Sequence, residues 1–367
     1  MKIGIPTEIK PQEGRVAFLP AQVRELVAAG HEVFVQKGSG AVSRVEDGDY
    51  AAAGAAILET CEDVYRAATL ITKVKEILPP EYPFLRRDHI IFTNIHAALN
   101  REQLDTMLAV GLTAVSAENT HQFGSPNCAL AGEVGALEAV RLSLAPYGGT
   151  GRHFMSHFGE KSSKAVVLGL GNVGRGALRT LMGLGVRVVA LDVWEGARKA
   201  AKMDWYKTDI VVDDISTLEE HIYDADMIIN CVLWPKDRKD HLVTRDMLRR
   251  LKKGALVVDI SCDTAGAIET SRSTSWAEPM YEEEGIRHFC VDNIPGAVPV
   301  TASAGYGEAI LPKVMLIAAH GTAEACRREP WIARGLTCVE GELILAEAGR
   351  YQNREYTPVE EWLKRQL

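Results

Sequence analysis

The amino-acid sequence predicts an α/β protein of two domains with mainly parallel sheets, and three observations carry that expectation. The chain has 367 residues, more than one hydrophobic core usually organises. Short β-branched runs alternate with amphipathic stretches from end to end, as strands feeding crossover helices do. A glycine-rich turn stands near mid-chain, at 169–174, and a new strand-helix series begins there.

In chain order, 2–5, 32–36, 70–74, 90–95 and 112–116 read as strands, rich in Ile, Val, Phe and Thr. A helix is expected at 21–29, entered through Pro20 and closed by Gly30. The segment 128–144 reads as a long helix, with Leu130, Val134, Leu137 and Val140 in its apolar stripe. A polar, glycine-rich stretch at 146–164 follows, and then strands at 165–169, 187–192, 226–231, 255–260 and 288–291. After Pro299 the pattern turns helical, most clearly at 307–320. Glu282, Glu283 and Glu284 read as a solvated helix end or loop, and Trp276 and Trp331 as packing or interface residues. His153 and His157 have helical spacing but no third ligand, so no metal site is expected.

Composition narrows the function classes. Hydrophobic residues make up 47% and charged residues 25% of the chain, as in ordinary globular proteins. A formal net charge of -8 argues against a nucleic-acid-binding face. Cys61, Cys128, Cys231, Cys262, Cys290, Cys326 and Cys338 include no C-x-x-C, which suits reduced thiols better than a disulfide framework or a zinc site. The N-terminal stretch reads as a strand without the apolar core of a signal peptide. No apolar run approaches the ~20 residues of a membrane helix. A cytoplasmic protein with no membrane or nucleic-acid partner is expected.

The central motif is Gly169-Leu-Gly171-Asn172-Val173-Gly174, which follows an apolar strand and opens a helix. A second strand ends in Asp192 about twenty residues on, completing a dinucleotide fingerprint. Gly169 serves the tight turn, Gly171 the approach of the pyrophosphate, and Gly174 the packing of helix on strand. The helix N-terminus favours the phosphate charge. Asp192 can accept hydrogen bonds from both adenosine ribose hydroxyls. It would repel a 2′-phosphate by about 4 kcal/mol at ~4 Å and an effective dielectric near 20. Arg187 lies upstream of the strand end, so NAD is the expected cofactor.

Four further residues, singled out by the family resemblance whose motifs are given next, also suit substrate chemistry on their own terms. Arg15 offers a planar fork for a carboxylate. Lys75 ends an apolar strand, with Lys73 as its same-face neighbour. His96 sits at a strand end and can titrate near neutral pH. Asp263 follows the strand at 255–260, where doubly wound sheets place ligands. Arg15, His96 and Asp263 have plainer readings as well, as a loop arginine, a structural histidine and a helix cap or turn aspartate, and Lys73 could be confused with Lys75.

Specific pieces resemble the alanine dehydrogenase and transhydrogenase family, in family order and over nearly the whole length. They are 4–10, 13–20, 30–35, Lys73-Val-Lys75-Glu76, 92–96, the Gly169 loop, 231–235, 258–263 and 292–295. The resemblance implies two Rossmann-like doubly wound domains with a cleft between them, the NAD domain inserted into the substrate domain. Residues 1–126 and 303–367 would form the substrate domain and 127–302 the NAD-binding domain. It implies that Arg15 and Lys75 hold the substrate and that His96 and Asp263 handle protons. Val232, Leu233, Asn293 and Ile294 would line the nicotinamide pocket. The implied activity is NAD-dependent, reversible oxidative deamination of an L-amino acid to a 2-oxo acid and ammonia. A homo-oligomer is also implied.

Some positions depart from the family's pattern. Gly132 stands where a serine is usual, Trp234 replaces a small aliphatic residue, and the tracts at 147–153 and 300–303 match only in part. The tract 263–269 is similar to saccharopine dehydrogenases and carboxyethylornithine synthases. These imply a second activity, reduction of an imine between an amino-acid amine and a 2-oxo acid. A non-catalytic NAD-binding module is a third reading.

Overall fold

The computed structural model describes residues 1–121, 127–235, 238–262 and 265–366. The chain divides into two compact units, Met1–Asn127 with Val298–Leu367, and Cys128–Ala297. The second unit is therefore an insertion in the sequence of the first. It ends at Ala297, short of the expected 302, because Pro299 opens the helix Pro299–Arg328. Proline suits this first helical position, where an N–H would have no partner. Tyr306, Ile310, Val314 and Ile317 of that helix belong to the core of the first unit.

The first unit contains β1 (Lys2–Ile5), β2 (Glu32–Gln36), β3 (Ala56–Leu58), β4 (Leu70–Thr72), β5 (Ile90–Thr93) and β6 (Thr113–Ser116). These strands are parallel and lie in the order β3-β2-β1-β4-β5-β6. The strands β14 (Leu336–Val339) and β15 (Glu342–Leu343) extend the β6 edge antiparallel. Burial on both faces explains the continuous apolar runs of these strands. Ile3, Ile5, Leu70, Phe92 and Val115 face one core, while Ile71, Ile91 and Ala114 face the other. The strand order reverses between β1 and β4, and ligands of doubly wound sheets bind beyond the carboxyl ends of strands at such a switch point.

The second unit repeats this plan. It holds β7 (Lys164–Leu168), β8 (Arg187–Asp192), β9 (Val211–Asp214), β10 (Met227–Asn230), β11 (Leu256–Asp259), β12 (Met280–Glu283) and β13 (Ile286–Phe289). Their order is β12-β13-β11-β10-β7-β8-β9, with only β12 antiparallel to its neighbour among the described residues. Ala165, Val167, Met227 and Ile229 face one core, and Val166, Leu168 and Ile228 the other. Here the switch point lies between β7 and β10.

Several elements differ from expectation. Glu282 and Glu283 lie in β12, while Glu284 turns at φ 52° and pairs with Arg245 and Arg249. The run reads as a loop because the arginines that pair with Glu283 and Glu284 are more than thirty residues away. The expected helix at 307–320 is the middle of Pro299–Arg328, which breaks only at Gly321 (φ 76°, ψ 166°). The helix expected at 128–144 runs from Cys128 to Leu142. Trp276 packs edge-on against Phe289. Among the described residues, no helix is long and apolar enough to cross a membrane.

Candidate active site

In the second unit the glycine loop leaves β7 at the switch point. Gly169 has φ 86°, a conformation that favours glycine, and its N–H donates to Leu191 O at 2.8 Å. A Cβ on Gly174 would come within 1.9 Å of Gly169 O, so the helix Asn172–Leu184 approaches the strand as only glycine permits. Gly171 is the cap residue of that helix, and a Cβ there would meet nothing within 4 Å. Asn172 and Val173 form its first turn, with the unsatisfied N–H groups that stabilise anions.

Asp192 ends β8 and stitches two loops together. Its Oδ2 accepts the Leu170 N–H at 2.6 Å and its Oδ1 the Trp194 N–H at 2.7 Å. Each carboxylate oxygen has a further lone pair to offer a ribose hydroxyl. The loop, the helix start and this acid thus fit a dinucleotide. Sequence reading missed one nearby cation, Arg198, which donates to the carbonyls of Asp192 and Val193 and to Asp214 at 2.7 Å. Its charge is matched by Asp214.

Val232 and Leu233 follow β10, and Asn293 and Ile294 follow β13. Val232 packs on Gly169 and donates its N–H to Asn230 Oδ1 at 3.1 Å. Leu233 is 82% exposed, whereas Asn293 and Ile294 are buried. The Asn293 carbonyl accepts the Trp276 indole N–H at 2.9 Å. Asp259 accepts Asn230 Nδ2 at 2.7 Å and Ser271 Oγ at 2.5 Å, a buried network that ties the exits of β10 and β11. Asp263 lies outside the described residues. Gly132 has a packing role: its helix Cys128–Leu142 lies so close to Asn172–Leu184 that a Cβ would stand 1.9 Å from Val173 O.

In the first unit, Arg15, Lys75 and His96 gather beyond the carboxyl ends of β1, β4 and β5, beside the other switch point. The loop carrying Lys75 is fixed by hydrogen bonds from every side. Tyr306 OH donates to Lys73 O (2.9 Å), Asn94 Nδ2 to Val74 O (2.6 Å) and Thr93 Oγ1 to Lys75 O (2.6 Å). Glu8 Oε1 accepts the N–H groups of Val74 and Lys75 at 2.5 and 3.3 Å.

The two lysines part company here. Lys73 is buried, donating to both carboxylate oxygens of Glu81 at 2.6 and 2.7 Å. Lys75 Nζ lies 4.0 Å from Glu76 Oε1. His96 Nε2 lies 3.8 Å from the same oxygen, and Lys10 Nζ stands 3.7 Å from Glu76 Oε2. Burial opposes the charge of Glu76, but Lys75, His96 and Lys10 outweigh it and hold its carboxyl below the usual carboxylate range.

His96 adopts φ 50°, a left-handed conformation rare outside glycine. Glu118 at the end of β6 explains it. Its carboxylate accepts the His96 N–H at 2.7 Å and the Ile95 N–H at 3.1 Å, and lies 3.9 Å from His96 Nδ1. The imidazole is 40% exposed. Arg15 is buried and its fork engages Glu13, with Nε and Nη2 at 2.7 and 2.6 Å from the two carboxylate oxygens. Burial works against Glu13 ionising, but Arg15 and Lys75 prevail and lower its pKa. Sequence reading singled out the cations and missed these five carboxylates, although Glu8, Glu13 and Glu76 stand inside the matched motifs.

Fold and site together define a two-unit α/β protein whose inserted unit has the dinucleotide-binding architecture. The chain belongs to the alanine dehydrogenase/PNT family: residues 4–130 match its N-terminal domain and 136–346 its C-terminal domain. An alanine dehydrogenase of Mycolicibacterium smegmatis is 33% identical over 370 residues, covering 99% of this chain and 100% of that protein. One of Mycobacterium tuberculosis is 35% identical over 353 residues, 94% of this chain and 95% of that protein. A solved L-alanine dehydrogenase superposes with a TM-score of 0.88 at 32% identity, covering 96% of this chain and 99% of its own. A transhydrogenase from Sinorhizobium meliloti, at 24% identity and TM-score 0.76 over 94% of this chain and 99% of its own, shares the fold.

Proposed function

We propose that this chain is an NAD-dependent amino-acid dehydrogenase of the L-alanine dehydrogenase kind. It would interconvert an L-amino acid, water and NAD with a 2-oxo acid, ammonia and NADH. The observation that carries this reading is the gathering of Arg15, Lys75 and His96 beyond the carboxyl ends of β1, β4 and β5, with Lys73 withdrawn into a buried pair. The near-full-length similarity to alanine dehydrogenases supports it.

NAD, when bound, supplies the acceptor for the hydride of the amino acid's Cα–H. Gly169, Gly171 and the first turn at Asn172, Val173 and Gly174 would hold the pyrophosphate, and Asp192 the adenosine ribose. Val232, Leu233, Asn293 and Ile294 would flank the nicotinamide. Arg15 and Lys75 hold the substrate carboxylate, and their charge favours the anionic 2-oxo acid. His96 takes a proton from the water that adds to the substrate imine and returns it as ammonia leaves. Asp263 is proposed to share that proton handling. Orientation and charge are the protein's contribution.

The test is an NADH-oxidation assay with pyruvate, comparing ammonia against lysine and ornithine as amines. Ammonia-dependent turnover supports this reading. Turnover only with a larger amine would replace it by an imine-reducing, saccharopine-type activity. His96→Ala should keep NADH binding and lose about 100-fold or more in turnover, the range for a general acid–base group.

A further inference from the structure

Glu8 has no part in the reaction just outlined, yet its carboxyl lies among the groups assigned to substrate binding. It follows β1, and its side chain is 3% exposed. One oxygen, Oε1, holds the loop at Val74 and Lys75 through their backbone N–H groups. The other, Oε2, is buried without a hydrogen-bond partner. Lys73 Nζ stands 3.6 Å from it but donates to both oxygens of Glu81.

The surroundings of Glu8 come from five directions. Lys73 faces it from the loop after β4, Arg15 and Glu13 from the loop after β1, and Glu81 from the turn Pro79–Phe84. Tyr306 faces it from the helix Pro299–Arg328, and Cys61 and Tyr65 from Cys61–Ala67. Burial pushes the carboxyl up to about 7, against the pull of Lys73 and the Val74 N–H and with the repulsion of Glu13 and Glu81. A group so poised changes charge when a further charge arrives nearby.

We propose that Glu8 is a proton-linked positioning residue for carboxylate binding. It anchors the Lys75 loop through Val74 and Lys75, and it takes up one solvent proton as the carboxylate of a 2-oxo acid settles beside Arg15 and Lys75. The proposal rests on the substrate-binding reading of that cluster. Its logic is charge balance. Glu8, Glu13 and Glu76 already oppose the cations, so an incoming anion makes the Glu8 charge less favourable and its protonation offsets the addition. Affinity for the anion should therefore weaken as pH rises past about 7, approaching tenfold per pH unit for one linked proton.

The experiment is calorimetric titration of pyruvate into the NADH-bound protein at pH 7.5, in buffers of different ionisation heat, with wild type and Glu8→Gln. The amide keeps an oxygen for Val74 but cannot gain a proton. Wild type should take up a proton on binding, Glu8→Gln should take up less by most of one proton, and the variant's affinity should fall less from pH 7 to 8.5. Equal uptake and equal pH dependence in the two proteins would overturn the role of Glu8 while leaving the substrate site in place. Failure of pyruvate and other 2-oxo acids to bind either protein would overturn the site reading itself. Should Glu8→Gln not fold, an infrared difference spectrum of wild type decides. A protonated-carboxyl band must grow on pyruvate addition, and its absence overturns the proposal.

Discussion

Lys73 and Lys75 show how burial separates residues that a sequence leaves equivalent. Both follow one apolar strand, two residues apart, and Glu81 with Glu8 decides that Lys73 is structural. Lys73→Met leaves Glu81 buried and uncompensated, and should cost about 3–5 kcal/mol in urea denaturation. Glu8 makes a prediction with a definite sign. Its folded pKa of about 7 lies above the ordinary 4.5, so the folded protein binds this proton more tightly than the unfolded chain. Its contribution to stability is complete below pH 4.5 and is lost as pH rises through 7. Relative to Glu8→Gln, wild type should lose about 3 kcal/mol across that window, at about 1.4 kcal/mol per pK unit. Pairs such as Glu13 with Arg15 and Glu118 with the His96 N–H were not legible. They depend on loop geometry, and the positive φ of His96 follows from Glu118 more than twenty residues away.

At the scale of elements, periodicity and glycine chemistry carried most of the reading. The helix after Gly171 and the strand ending in Asp192 stand as expected, because an apolar strand, a glycine turn and an acid at fixed spacing constrain one another. Short edge strands such as β3 and β12 went unseen, since three or four half-exposed residues leave no period to detect. The start of Pro299–Arg328 was obscured by Pro299, Gly305 and Gly307, which weaken a helical signal in isolation but sit here against a buried core. Gly132, which stands where a serine is usual, leaves no room for a Cβ against Val173 O. Gly132→Ser forces a Cβ toward Val173 O and displaces the first turn of Asn172–Leu184. It should cost about 1–3 kcal/mol in stability and weaken NADH binding in a fluorescence titration. Asp192→Ala should weaken NAD binding and narrow its preference over NADP. Equal use of both cofactors by the parent protein would contradict the ribose assignment.

At the scale of the whole molecule, one plan is used twice. Each unit winds its parallel strands outward from a switch point, and in each the candidate residues follow the carboxyl ends of the strands beside that point. The inserted unit fits a dinucleotide, and the proposal places an anionic substrate at Arg15, Lys75 and His96 of the enclosing unit. A division near mid-chain was expected because a complete fingerprint begins only after residue 164. The measurement that bears most directly on this account is NADH oxidation by the purified protein with pyruvate, with and without ammonia. The account predicts turnover that requires ammonia, yields alanine and fails in His96→Ala. NADH binding with no ammonia-dependent NADH oxidation in the presence of any 2-oxo acid would contradict it.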